Sequence, residues 1–91
     1  MAVTIRIPTP MRNLTAGEST VTVEGTTVAD AIKALDAAHP GVAERVLDET
    51  GALRRFVNVY VGDEDVRFLD GLATPLNDGA SVSIIPAVAG G

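Results

Sequence analysis

No cysteine occurs among the 91 residues. That excludes disulfide staples, thiolate metal sites and any chemistry running through a thiol of this chain. Tryptophan is missing too, and the aromatics number three, Phe56, Tyr60 and Phe68, so a core has to be built from Val, Leu, Ile and Ala. Basic residues are scarce: seven Lys and Arg against twelve Asp and Glu leave a net charge of −5. With the seven scattered along the sequence, phosphate recognition has no footprint, and no nucleic-acid partner is expected. No run approaches membrane-spanning length, and residues 1–7 lack the basic-then-apolar pattern of a targeting signal. The expectation is cytoplasmic residence without a membrane partner.

What remains is a chain of one-domain size. A domain of about 90 residues buries roughly 60 to 65% of its unfolded surface, so the core must be compact and a deep enzymatic cleft is not expected. An apolar fraction of 46% with 21% charged residues describes a folded domain rather than a disordered one.

Local pattern supplies the elements. Val3, Ile5 and Ile7 alternate with Thr4 and Arg6, the period-two signature of a strand with one buried face, and Pro8 and Pro10 close it. After a loop through Ala16 and Gly17, residues 19–23 alternate again, with Val21 and Val23 on one side, and the two strands read as an antiparallel hairpin. Thr27 then stands as an N-cap before Val28, Ala31, Ile32, Leu35 and Ala38, which recur at helical spacing, with Asp30 at the positive end of the helix dipole. His39-Pro40-Gly41 stops that helix. A shorter helix is expected over 42–47 and a loop over 48–51.

Residues 56–61 form the strongest strand signal, β-branched and aromatic on both faces. A turn is expected at 62–65, a short edge strand near 66–68, an irregular stretch to Leu76, and a last strand over 81–85 stopped by Pro86. The order strand, strand, helix, strand, edge strand, strand suits an α+β domain of β-grasp type, a mixed sheet on one main helix, over residues 1–86, followed by a flexible tail of residues 87–91. With Val57, Val59 and Val61 facing the helix, Phe56 and Tyr60 fall on the uncovered face of the sheet. They then form a docking surface, joined by Phe68, or are covered by residues 62–80 folding over them.

Chemistry has few places to sit. His39 reads as a helix-stop residue rather than a base or ligand. Asp63-Glu64-Asp65 lacks the spaced oxygen ligands of a calcium loop, so no metal site is expected. Ser19, Ser81 and Ser83 have no base to activate them, and no glycine-rich phosphate loop opens the helix. The tail differs. Ala87, Val88, Ala89, Gly90 and Gly91 carry no charge and no large side chain, and extended they reach at most about 16 Å. Two glycines without Cβ atoms can thread a narrow tunnel in a partner and present the Gly91 carboxylate. Ordering five residues costs roughly 5 to 10 kcal/mol, at about 1 to 2 kcal/mol each, so a partner would also need the folded domain as a contact surface.

The second half, from Arg55-Phe56-Val57-Asn58-Val59-Tyr60-Val61-Gly62-Asp63 through Gly71-Leu72-Ala73-Thr74-Pro75-Leu76 to Ile84-Ile85-Pro86-Ala87-Val88-Ala89-Gly90-Gly91, closely resembles the ThiS/MoaD family of ubiquitin-like sulfur carriers, and within it the actinobacterial CysO-type branch of cysteine biosynthesis. The likeness extends more weakly through Ile5-Arg6-Ile7-Pro8-Thr9 and the helix. It implies a protein co-substrate rather than an enzyme, with no catalytic side chain and no bound cofactor. A partner of the ubiquitin-activating type would adenylate Gly91 with ATP, and sulfur delivery would give a thiocarboxylate. In the CysO-like pathway the thiocarboxylate attacks O-phosphoserine held as its aminoacrylate on a pyridoxal-phosphate cysteine synthase, and a metal-dependent peptidase carrying zinc releases cysteine. The family leaves open a molybdopterin-synthase small subunit or a carrier for another sulfur metabolite. The 28–54 region is longer than a minimal thiamin-type carrier needs. A protein modifier joined to substrate lysines is the alternative of another class.

Overall fold

The structure, a computed structural model, describes residues 2–86. Seven regular elements run in order β1 (Ala2–Arg6), β2 (Thr20–Glu24), α1 (Val28–Ala38), α2 (Val42–Val46), β3 (Val57–Val61), β4 (Glu64–Asp65) and β5 (Ser81–Pro86), with 3-10 segments at Thr9–Thr15, Val66–Phe68 and Gly71–Ala73. The tail of residues 87–91 lies outside the described residues.

Alternation dictates how the strands pair. In the antiparallel β1–β2 hairpin, Val3 faces Val23 and Ile5 faces Val21, while Thr4–Thr22 and Arg6–Thr20 take the other side. β1 pairs in parallel with β5, Ile5 opposite Val82, and β5 pairs antiparallel with β3, Ile84 opposite Val59. The sheet order is β2-β1-β5-β3-β4, a mixed sheet with the first and last strands in its middle. This is the expected β-grasp arrangement, an α+β domain of ubiquitin-like type.

One face is covered. Val28, Ala31, Ile32 and Leu35 of α1 and Val42 and Val46 of α2 are fully buried against Val3, Ile5, Val59, Val82 and Ile84, with Val66 and Leu76 closing the side. Val61, expected among the core strand residues, is only half-buried, because it stands at the end of β3.

The helix begins as Thr27 predicts: its backbone is extended and its Oγ1 accepts from the Asp30 N–H at 3.2 Å. At the other end the His39 N–H donates to the Leu35 carbonyl, and Asp36 Oδ1 accepts from the N–H groups of Gly41 and Ala43 at 3.0 and 3.1 Å. Gly41 takes φ +105°, a left-handed conformation that admits glycine readily and lets α2 turn back on α1. Gly25 serves a different need: a Cβ there would stand 2.9 Å from the Ala31 nitrogen, so only glycine lets the end of β2 pass this close to the helix.

Three expectations are corrected. The loop after Pro8 is a 3-10 helix over Thr9–Thr15 that buries Met11 and Thr15; proline at a first helical position starts a helix as well as ending a strand. The edge strand lies at Glu64–Asp65, not 66–68, because the turn is tight and Tyr60 and Val61 pair with Asp65 and Glu64. Consequently Phe68 belongs to a 3-10 turn, begun by Asp65 Oδ1 accepting the Arg67 N–H at 2.9 Å.

Candidate functional site

The sheet order sets where the chain leaves. β5 is a central strand, so Pro86 emerges between the end of β1 and the start of β3, its Cα opposite Val57. A segment following Pro86 therefore starts from the middle of one end of the sheet rather than from an edge. Beside it runs a shallow groove whose walls include Arg6, Pro8, Arg12, Ser83 and Ile85. Ala87, Val88, Ala89, Gly90 and Gly91, the predicted working residues, lie outside the described residues.

The uncovered face bears the predicted aromatics in part. Asn58 and Tyr60 alternate with the buried Val57 and Val59 and stand opposite Ile85 and Ser83 of β5. Phe56, just ahead of β3, is 57% exposed, Phe68 is 87% exposed and Ile85 is 48% exposed. Tyr60 is half-buried. Residues 62–80 thus leave Phe56 open, while Tyr60 is partly covered, so the covered alternative fails for Phe56 and holds in part for Tyr60.

Arg67, unremarked in the sequence, organises this corner. Its guanidinium donates to Asn58 Oδ1 at 2.6 Å and to the carbonyls of Arg54 and Val57, each at 2.8 Å. It thereby ties the turn bearing Phe68 to the start of β3, where β4 does not reach. A planar fork with several donors suits this bridging; lysine, a single point charge, would not replace it. The Arg55 guanidinium lies over the Phe56 ring, 5.5 Å from its centroid. The sequence signal that could have found Arg67 is weak: one arginine after a turn, with its acceptors nine to thirteen residues away.

The remaining candidates have structural duties. His39 forms the C-cap of α1. The Asp65 carboxylate is engaged with the Arg67 backbone, and among the described residues no group of three His, Cys, Asp or Glu side chains could hold a metal ion. The Thr50 hydroxyl and N–H, helped by the Ala52 N–H, hold the Asp48 carboxyl below the usual carboxylate range and so close the 48–52 loop.

Known proteins share this arrangement. The sulfur carrier protein CysO of Mycobacterium tuberculosis is 52% identical over 93 aligned positions that cover 100% of both chains. In the crystal structure of the Amycolatopsis orientalis BexX/CysO complex, the matching chain superposes with a TM-score of 0.93 at 47% identity, covering 98% of this chain and 99% of that one. Small archaeal modifier protein 3 of Haloferax volcanii is 43% identical over 65 residues, 71% of this chain and 70% of its own. The ThiS family model matches residues 5–91, a span that includes the terminal glycines. The site therefore sits on a carrier rather than an enzyme, and the chain belongs to the ThiS family.

Proposed function

We propose that this chain is a sulfur carrier that holds sulfur as a thiocarboxylate on Gly91. The observation that carries this reading is the full-length similarity to CysO, a sulfur carrier protein. The chemistry follows from the functional group. A carboxylate is a poor electrophile. Its attack on ATP gives an acyl adenylate and pyrophosphate; a sulfur nucleophile then displaces AMP, leaving a C-terminal thiocarboxylate that is nucleophilic at neutral pH. O-phosphoserine first loses its phosphate on the partner enzyme, and the thiocarboxylate sulfur then adds to the carbon that bore it, forming the carbon–sulfur bond. A shift of the acyl group from sulfur to nitrogen leaves cysteine amide-bonded to Gly91, and hydrolysis of that amide returns the carboxylate.

Every step is catalysed by a partner: ATP belongs to an adenylating enzyme, pyridoxal phosphate to the cysteine synthase, zinc to the peptidase. The part of this chain is to dock and to present its end. Phe56, Tyr60, Phe68 and Ile85 provide the apolar contact, and Ala87, Val88, Ala89 and Gly90 enter the partner's tunnel.

Incubation with ATP, a sulfide source and the cognate adenylating enzyme, followed by intact mass spectrometry, should show one oxygen of Gly91 replaced by sulfur. Deleting Gly91 should abolish that change while leaving the melting temperature of the domain unaltered; thiocarboxylate formation without Gly91 would refute the assignment. Tyr60→Ala should weaken binding to the same enzyme, and unchanged binding would confine Tyr60 to a structural role.

The match to a small archaeal modifier protein favours a second reading, conjugation of Gly91 to substrate lysines. Tryptic Gly-Gly remnants on lysines of other proteins, lost on deletion of Gly91, would identify it.

A further inference from the structure

Although the chain is acidic overall, the fold sorts its charges. β1 and β5 run in parallel and β3 runs against them, so the end of β1, the start of β3 and Pro86 share one end of the sheet. Arg6 lies there, opposite Ser83. The Arg12 Nε donates to the Ile7 carbonyl at 3.1 Å. Arg54 and Arg55 immediately precede β3, and Arg67 is bound to the Arg54 and Val57 carbonyls. Five of the seven basic residues, scattered in sequence, are thus gathered around the point where the described chain stops.

The opposite end is acidic. Glu24 stands opposite Ala2, Asp78 Oδ1 accepts from the Ala2 N–H at 3.0 Å, Glu64 stands opposite Val61, Asp63 lies in the adjoining turn, and Asp30 opens α1. The ends are separated by on the order of 13 Å of strand plus side chains, more than the Debye length of about 8 Å at physiological ionic strength. An approaching surface at the Pro86 end therefore meets the local arginines rather than the net charge of −5. Acids do reach this end: Glu18 precedes β2, and Glu44, Asp48 and Glu49 flank Arg54. Arg6, Arg12, Arg55 and Arg67 make up the rest of the rim.

We infer that this arginine rim docks on an acidic protein surface surrounding the tunnel that receives the tail. The inference rests on the proposed function only for the partner's identity. A carboxylate at the end of five extended residues stands up to about 16 Å beyond Pro86, too far for the rim to act on the reacting group or on a nucleotide beside it. The rim instead orients the domain as the tail enters and speeds encounter, as complementary charge does at other interfaces.

Arg6 and Arg55 are the residues to change, because both are exposed and neither side chain donates a hydrogen bond within the described residues, whereas Arg12, Arg54 and Arg67 hold backbone carbonyls. Arg6→Gln with Arg55→Gln lowers the net charge by two. So does Thr22→Glu with Asn77→Glu, placed on exposed positions away from the rim. Amide chemical shifts are followed at 0.15 M salt as oligoglutamate is added. The expected result is movement confined to the amides of residues 6, 7, 9, 11, 12, 54–58, 67 and 83–85 in the native chain and the Thr22/Asn77 variant, and lost in the Arg6/Arg55 variant. Absence of such movement in the native chain, or its persistence without Arg6 and Arg55, overturns the inference. Duplex DNA moving the same residues at lower concentration than oligoglutamate also overturns it, in favour of nucleic acid. With the cognate adenylating enzyme, the Arg6/Arg55 variant should associate about tenfold more slowly, the Thr22/Asn77 variant at the native rate. Equal rates for both variants would sink the inference while loading of Gly91 stands; a failure to load the native chain would sink the carrier reading and leave the oligoglutamate result to decide the rim.

Discussion

Replacing Arg67 by Met keeps an unbranched stem and removes every donor of the guanidinium fork, and its consequence can be worked from the contacts. Three acceptors are lost, Asn58 Oδ1, the Arg54 carbonyl and the Val57 carbonyl. A hydrogen bond to a charged group contributes about 1.5–3 kcal/mol where water is excluded, but Arg67 is exposed, and exposed charged contacts are worth about 0.2–1 kcal/mol. Counting the Val57 contact, which is partly buried, near the top of the exposed range and the other two near the bottom gives about 1–2 kcal/mol. For a domain of this size that corresponds to a fall in melting temperature of roughly 5–15 °C. Thermal denaturation followed by circular dichroism measures it, and a double-mutant cycle with Asn58→Ala isolates the shared term, expected at about 0.2–0.5 kcal/mol. Arg67→Lys should recover little, since one ammonium cannot span acceptors on both Asn58 and Arg54. A melting temperature of Arg67→Met within 1 °C of the native value, an estimate set by the roughly 0.2 kcal/mol scale of the weakest exposed pairs, would refute the bridging role.

Gly25→Ala should destabilise the domain by about 1–3 kcal/mol, because the added Cβ meets the Ala31 nitrogen at 2.9 Å and the Ala31 Cα at 3.1 Å, helix backbone that cannot rotate aside; an unchanged urea midpoint would contradict this. The Thr26 hydroxyl, with Thr27 helping, holds the Asp30 carboxyl below its ordinary value of 3.8. A depressed folded-state pKa contributes stability that is present above the unfolded value and lost as pH falls through the folded one. Thr26→Val should therefore raise the Asp30 pKa towards 3.8 and diminish that acid-side loss, read by NMR titration of the Asp30 carboxyl; an unmoved titration would remove Thr26 as the cause.

Much of the domain could be read locally. Period-two alternation located β1 and β2, β-branched and aromatic content located β3, and the closing Pro86 located β5, each to within a residue or two. Thr27 and Asp30 marked the start of α1 because orphan N–H groups need a nearby acceptor whatever the tertiary setting. The 3-10 helix over Thr9–Thr15 escaped because Pro8 and Pro10 serve equally as strand breakers and as helix starters, and only the burial of Met11 and Thr15 selects between them. The edge strand was misplaced by two residues because its register depends on the tightness of the turn after Val61.

By itself the sequence determined which segments are strands and helices, which faces are apolar, and that the last residues are small and uncharged, because these depend on residue type and short-range spacing. Tertiary structure alone decided that β5 lies between β1 and β3, that Arg67 reaches back to Arg54, Val57 and Asn58, and that five dispersed arginines converge around Pro86. Those facts follow from strand order and chain direction, which join residues up to 80 or so positions apart, and no local pattern carries that information.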